Sequence, residues 1–112
     1  MTREYYIHAN HWPLFYEETI IAAGGAAFCY LSIEPDQPNI ATLNAVSVVR
    51  EERRKGLGTR LVRYAIDRAR NLHCDELRLT AVATSFVVGW YYRLGFREVA
   101  NDGEFVRMSM KL

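Results

Sequence analysis

The 112-residue sequence predicts a mixed α/β (α+β) fold: a mostly antiparallel, twisted sheet with a central parallel βαβ unit and two main helices. Three observations carry this reading. Apolar residues at positions 57, 61, 62, 65, 66, 69 and 72 recur at helical spacing between two strand-like runs, 40–49 and 76–82. Apolar runs 15–23 and 26–33 flank Gly24-Gly25, and runs 96–100 and 105–112 flank Asn101-Asp102-Gly103-Glu104, so each pair reads as an antiparallel hairpin. A shorter helical segment, 85–94, stops at Gly95, where a left-handed residue ends a helix without a Cβ penalty.

The elements follow in order. Residues 4–8 are short and aromatic-rich, a first strand. Asn10-His11-Trp12-Pro13 then breaks regularity, because proline disfavours helix at the residue before it. His8 and His11 have no nearby carboxylate or cysteine, so packing is the simpler role for them than metal binding. Gly24-Gly25 supplies both positive-φ positions of a tight turn. Glu34 to Asn39 is a polar loop with two prolines. Residues 40–49 are almost unbroken apolar, the pattern of a strand buried on both faces. In the following helix Arg60, Arg63, Asp67, Arg68 and Arg70 lie mostly opposite the apolar stripe, as a solvated face. Residues 76–82 alternate Leu77, Leu79 and Ala81 inward and return parallel to 40–49; the crossover should be right-handed. The second helix starts behind Thr84 or Ser85 as N-cap. In the last strand Val106, Met108, Met110 and Leu112 alternate with Arg107, Ser109 and Lys111, a half-buried pattern.

Bulk properties narrow the function. One domain, residues 1–112, is expected from the length. The formal charge of +1 gives little support to a nucleic-acid binder, although arginine is dense between 50 and 70. Cys29 and Cys74 lack metal-ligand spacing and suit small core positions in a reduced, cytoplasmic protein. No long apolar span suggests a membrane segment.

Chemistry concentrates between Val46 and Val62. An apolar strand meets a charged turn, then Gly56 and Gly58, then the first helix. The first N–H groups of a helix have no intrahelical partner and point at whatever anion approaches, aided by the helix dipole. Arg53, Arg54 and Lys55 add three positive charges at the rim, and glycine lets backbone approach a phosphate closely. The stretch therefore reads as a pyrophosphate cradle. A dinucleotide fingerprint fails at Leu61, where a third glycine is needed, and the Gly-Lys-Ser/Thr of a P-loop is absent.

Arg53-x-x-Gly56-x-Gly58, set between a strand and a helix, resembles the Gln/Arg-x-x-Gly-x-Gly/Ala signature of the GNAT superfamily of N-acetyltransferases. Tyr91-Tyr92-Arg93-Leu94-Gly95-Phe96 resembles that family's Tyr-x-x-Leu-Gly-Phe segment, in the family's order. Together the two cover about two thirds of the chain, residues 40–112. Thr84 and Val87 depart from the family's usual Asn and Ala seven and four residues before the tyrosine.

The resemblance implies a GNAT-like sheet, acetyl-CoA as co-substrate, no metal, and direct acetyl transfer to a primary amine. It implies that Val46 and Val48 offer backbone groups to the pantetheine arm at a splayed, bulged strand. The Val46 amide would also stabilise the oxyanion, an effect worth on the order of 3 kcal/mol per donor. Arg53, Arg54, Lys55, Gly56, Leu57, Gly58 and Thr59 would hold the pyrophosphate. Tyr91 would protonate the departing thiolate as general acid; with a phenol near pKa 10 that transfer is nearly balanced. Packing beneath the helix is the alternative role for this ring. Where some members carry a glutamate base, this chain has Thr42. A water chain, Glu17 or Glu18 remain alternatives, as does no base at all for an amine arriving neutral.

Members usually insert two helices after the first strand; here only Ala9 to Leu14 occupy that interval. The acceptor, a small-molecule or peptide amine, is therefore expected to meet an open face or one completed by a second chain. The aromatic cluster Tyr5, Tyr6, Trp12, Phe15 and Tyr16 suits core or dimer interface, and a homodimer is expected. Two readings compete with the enzyme: a non-catalytic acyl-CoA-binding or sensing module, and an RNA- or protein-directed factor using the arginines.

Overall fold

The computed structural model describes residues 5–11 and 15–112; residue 4 of the expected first strand and Trp12, Pro13 and Leu14 lie outside them. Seven strands form one sheet in the order β1-β2-β3-β4-β5-β7-β6. They are β1 (Tyr5–His11), β2 (Tyr16–Ala22), β3 (Ala27–Ile33), β4 (Ile40–Val48), β5 (Glu76–Val82), β6 (Arg97–Asn101) and β7 (Phe105–Lys111). Helix α1 (Leu57–Asn71) crosses between β4 and β5, and α2 (Val87–Arg93) follows β5. Every strand pair is antiparallel except β4 with β5. The mixed, mostly antiparallel sheet with a parallel βαβ centre is thus the fold the sequence predicts.

Asn10 and His11 continue β1 instead of breaking it, because they pair with Glu17 and Tyr16 of β2. Four residues then separate β1 from β2. His8 and His11, three apart on a strand, point to opposite faces, and His11 packs on the Tyr16 ring at 4.8 Å. The Gly24-Gly25 turn forms with both glycines at positive φ, +67° and +103°.

Burial alternates along the strands: Ile20 and Ala22, Cys29 and Leu31, Ala41 and Leu43, Leu77 and Leu79, Val106 and Met108 all point to one face. Leu57, Leu61, Val62, Ala65, Ile66 and Ala69 cover that face from α1. Strand β4 is consequently buried on one side only, with Asn44, Ala45 and Ser47 exposed, against the expectation of two covered faces. The other face, which carries Tyr6, Phe28, Tyr30, Asn44, Thr80 and Arg107, is covered by no helix among the described residues.

The expected aromatic cluster divides. Tyr5 stacks on Tyr64 of α1, with centroids 4.1 Å apart and planes 6° apart, whereas Tyr6 is 62% exposed.

Candidate acyl-donor cleft

Strands β4 and β5 pair only at Ile40–Glu76, Ala41–Leu77 and Thr42–Arg78. Beyond Thr42 they diverge. On its other side β4 pairs with β3 throughout, but the register slips where Cys29 faces both Ala45 and Val46. This extra residue is a β-bulge, and Ala45 adopts φ +54°, a conformation costly for a residue with a Cβ. The Val49 amide donates to the Ala26 carbonyl at 2.8 Å, which sets the alternation after the bulge. In an antiparallel ladder the N–H and C=O of one residue face the same neighbour. Ser47 therefore faces β3, while the backbone groups of Val46 and Val48 face the splay.

At the mouth of the splay the chain turns through Arg54, at φ +67°, and Gly56, at φ +79°, into α1. No side chain caps this helix, so its first amides stay available. Strand, helix and indole converge on Gly58, where a Cβ would lie 3.4 Å from Val48 Cγ2 and 3.5 Å from Trp90 Cζ2, ordinary contact distances. The result is a cleft of about 870 Å³ lined by Val46, Val48, Arg53, Arg54, Gly56, Gly58 and Thr59, together with Ser47, Phe86, Val87 and Trp90. That volume falls within the range of sites for drug-sized ligands and cofactors.

Seven of the ten expected site residues therefore meet in one place. Leu57 turns its side chain into the core, which leaves its amide as the group offered at the cradle. Lys55 is exposed and Tyr91 is buried beside the cleft; neither lines it. Arg53 folds back, its Nε donating to the Val48 carbonyl at 3.0 Å, so it braces the strand end as well as charging the rim. Arg60, expected among solvated arginines, lays its guanidinium against Gly56 and reaches the Lys55 carbonyl. Sequence reasoning also missed Trp90, whose Nε1–H donates to Thr59 Oγ1 at 3.0 Å and ties α2 to the first turn of α1. The signal was its place next to Tyr91: on a helix, adjacent residues face different neighbours, one the core and one the cleft.

The Tyr91–Phe96 segment explains itself as a helix stop. Phe96 N donates to the Tyr91 carbonyl and Gly95 N to the Tyr92 carbonyl, both at 3.1 Å, the paired bonds of a Schellman cap. Gly95 takes φ +112°, and fully buried Phe96 meets the Tyr91 ring edge-on at 5.6 Å. Helix α2 is shorter at its start than expected; Ser85 Oγ accepts from the Val87 amide, as an N-cap would, but Phe86 intervenes. Tyr91 is 8% exposed. Its hydroxyl makes no hydrogen bond among the described residues yet is no buried orphan, so it keeps access to solvent. Burial, with a contribution from nearby Cys29, pushes this phenol up to about 12. Transfer of its proton to a thiolate is therefore less balanced than an ordinary phenol would allow.

Glu18 is fully buried on β2 and bound by Arg68 through two hydrogen bonds, Nε to Oε1 at 3.0 Å and Nη2 to Oε2, while Tyr16 donates to it at 2.7 Å. Arg68 thus leaves the solvated face, and Glu18 is committed to holding α1 against β2. Neither it nor Glu17 lines the cleft. Both cysteines are free and buried, and burial raises the Cys29 thiol to about 12, which suits an inert core position. No described helix is long and apolar enough to cross a membrane.

A sheet opened at its one parallel pair, with bare helix amides at the opening and a buried tyrosine behind, is the frame of an acyltransferase that takes a thioester donor. The sequence agrees: residues 2–96 match the Acetyltransferase (GNAT) family, and the chain belongs to it. Membership makes it an acyltransferase. A search of curated proteins by sequence finds no significant match. Among solved structures, a protein from Klebsiella pneumoniae assigned as an acyl-CoA N-acyltransferase superposes with a TM-score of 0.76 at 16% identity, covering 96% of this chain and 97% of that one. PaiA N-acetyltransferase from Thermoplasma acidophilum, solved with coenzyme A, gives 0.73 at 24% identity over 88% of this chain and 62% of that one. N-acetylglutamate synthase from Neisseria gonorrhoeae, solved with coenzyme A and L-arginine, gives 0.70 at 17% identity over 86% of this chain and 24% of that one. These are likenesses of fold.

Proposed function

We propose that the chain transfers an acetyl group from acetyl-CoA to a primary amine by direct attack. The observation that carries this reading is the gap beside the bulge: Val46 and the Val48 amide face it from the strand, next to the open amides of α1, while the Val48 carbonyl is held by Arg53. The pyrophosphate would lie on the amides of residues 57–59, charged from the rim by Arg53, Arg54 and Lys55. The pantetheine arm would run along Val46 and Val48 as an added strand. The neutral amine nitrogen attacks the thioester carbonyl, whose oxygen is met by the Val46 N–H. The C–N bond forms, the C–S bond breaks, the nitrogen gives one proton to solvent, and the sulfur leaves as a thiolate.

Tyr91 stands on the acid side of this reaction. Against an ordinary thiol, a phenol near 12 makes complete proton transfer uphill by roughly 5 kcal/mol. Its contribution is therefore chiefly a hydrogen bond to the developing thiolate, with the proton following. Tyr91→Phe should lower turnover at least tenfold and shift acetyl-CoA affinity less than threefold, with unchanged thermal stability because no internal hydrogen bond is lost. Equal losses in turnover and affinity would assign the ring a packing role. Binding of acetyl-CoA without turnover on a broad panel of amines would make the protein a sensor.

The acceptor would approach over the sheet face that no helix covers among the described residues. A second copy seated on that face, against Tyr6, Phe28 and Tyr30, would complete the acceptor side of the splay as a homodimer. Solution scattering at micromolar concentration should give the dimer mass; a monomer mass counts against it. Two free, buried cysteines suit a reducing, cytoplasmic setting.

A further inference from the structure

One aromatic side chain at the cleft has no structural task. Phe86 sits in the turn just before α2 and is 83% exposed, although residues of its type are normally buried. It makes no ring contact within the described structure, and its neighbours Val87 and Trp90 continue the same wall of the cleft. Arg53 and Arg54 line the cleft with it. A ligand anchored by phosphate at the start of α1 has two ends. One runs inward along β4; the other emerges at the rim, where Phe86 stands.

We propose that Phe86 is the platform for the purine base of the donor, so that the cleft selects a nucleotide-bearing thioester over a bare phosphopantetheine thioester. This rests on the donor reading above and extends it to the half of the donor that takes no part in the chemistry. The physical basis is the flat apolar face: a base stacks on it whatever its hydrogen-bonding edge. Covering the ring with a base also removes exposed apolar surface.

Calorimetry with acetyl-CoA and with S-acetyl-4′-phosphopantetheine tests it on wild type, Phe86→Ala and Phe86→Tyr. Losing one base stack weakens binding by roughly 5- to 100-fold. Phe86→Ala should therefore weaken acetyl-CoA by that factor and leave the phosphopantetheine thioester within twofold, while Phe86→Tyr restores acetyl-CoA. An equal loss for both ligands would mean that the ring packs on the pantetheine arm and would overturn the inference. No loss for either, or a changed oligomer mass with unchanged affinity, would overturn it in favour of an interface. Wild type binding only the phosphopantetheine ligand defeats this inference alone; wild type binding neither defeats the donor reading with it.

Discussion

The same substitution at two glycines, two residues apart, should change stability in opposite directions. Gly58 lies in the first turn of α1 at helical φ. An added Cβ would meet Val48 Cγ2 at 3.4 Å and Trp90 Cζ2 and Cη2 at 3.5 and 3.6 Å, ordinary contact distances. Alanine there gains helix propensity worth about 0.5–1 kcal/mol. Gly56, by contrast, holds φ +79°. Alanine in that conformation costs about 1–2 kcal/mol. Over the 112 residues, an unfolding entropy of about 2.1 cal/mol/K per residue gives roughly 0.24 kcal/mol per degree. Gly58→Ala should thus raise the midpoint by about 2–4 °C, and Gly56→Ala lower it by about 4–8 °C. Scanning calorimetry of both variants reads this directly, and Gly58→Ala should keep acetyl-CoA affinity within threefold. A fall for both, or a rise for both, would refute the assignment of backbone strain to Gly56 and of room for a Cβ to Gly58.

Further outcomes follow from the buried groups. Glu18→Gln breaks the charged pair inside the sheet and should cost about 2–3 kcal/mol in urea unfolding; it falls short of a fully buried pair because the Arg68 side chain is 25% exposed. Glu18→Leu with Arg68→Met should recover most of that loss, and no recovery would mean that the pair does more than hold α1. For Tyr91 the protonated form is the useful one, and a raised pKa keeps it protonated to higher pH. The pH profile of kcat should accordingly show no falling limb from Tyr91 below pH 10. Its folding contribution has the same sign: complete below the ordinary phenol value near 10, and lost as pH rises through about 12.

The fold was legible because its local signals agree with its global arrangement. The helical stripe of α1, the Gly24-Gly25 turn and the stop at Gly95 each act within a few residues, and each stands where expected. The glycine turn and helix start proposed as the cradle stand where expected for the same reason. What sequence could not resolve depends on distant partners. Whether β4 has one covered face or two is set by which side α1 and α2 pack on. Arg68 reads as solvated until Glu18, fifty positions away, comes within reach of it. Trp90 and Thr59, thirty-one positions apart, meet only because two helix starts converge on Gly58. Tyr91 was found by its motif, but the burial that raises its pKa belongs to the folded neighbourhood of Cys29 and Phe96.

The short seam between β4 and β5 has a mechanical consequence. With three paired residues and one crossing helix, the sheet is two plates, β1–β4 and β5–β7, joined along a brief line. Opening energies within a protein follow local contact density, so this line is where the plates part first. A thioester donor laid along Val46 and Val48 would act as a splint across the break and turn two loosely coupled plates into one slab. Amide exchange at residues 43–48 and 79–82 would then report donor binding as a stiffening of the whole sheet.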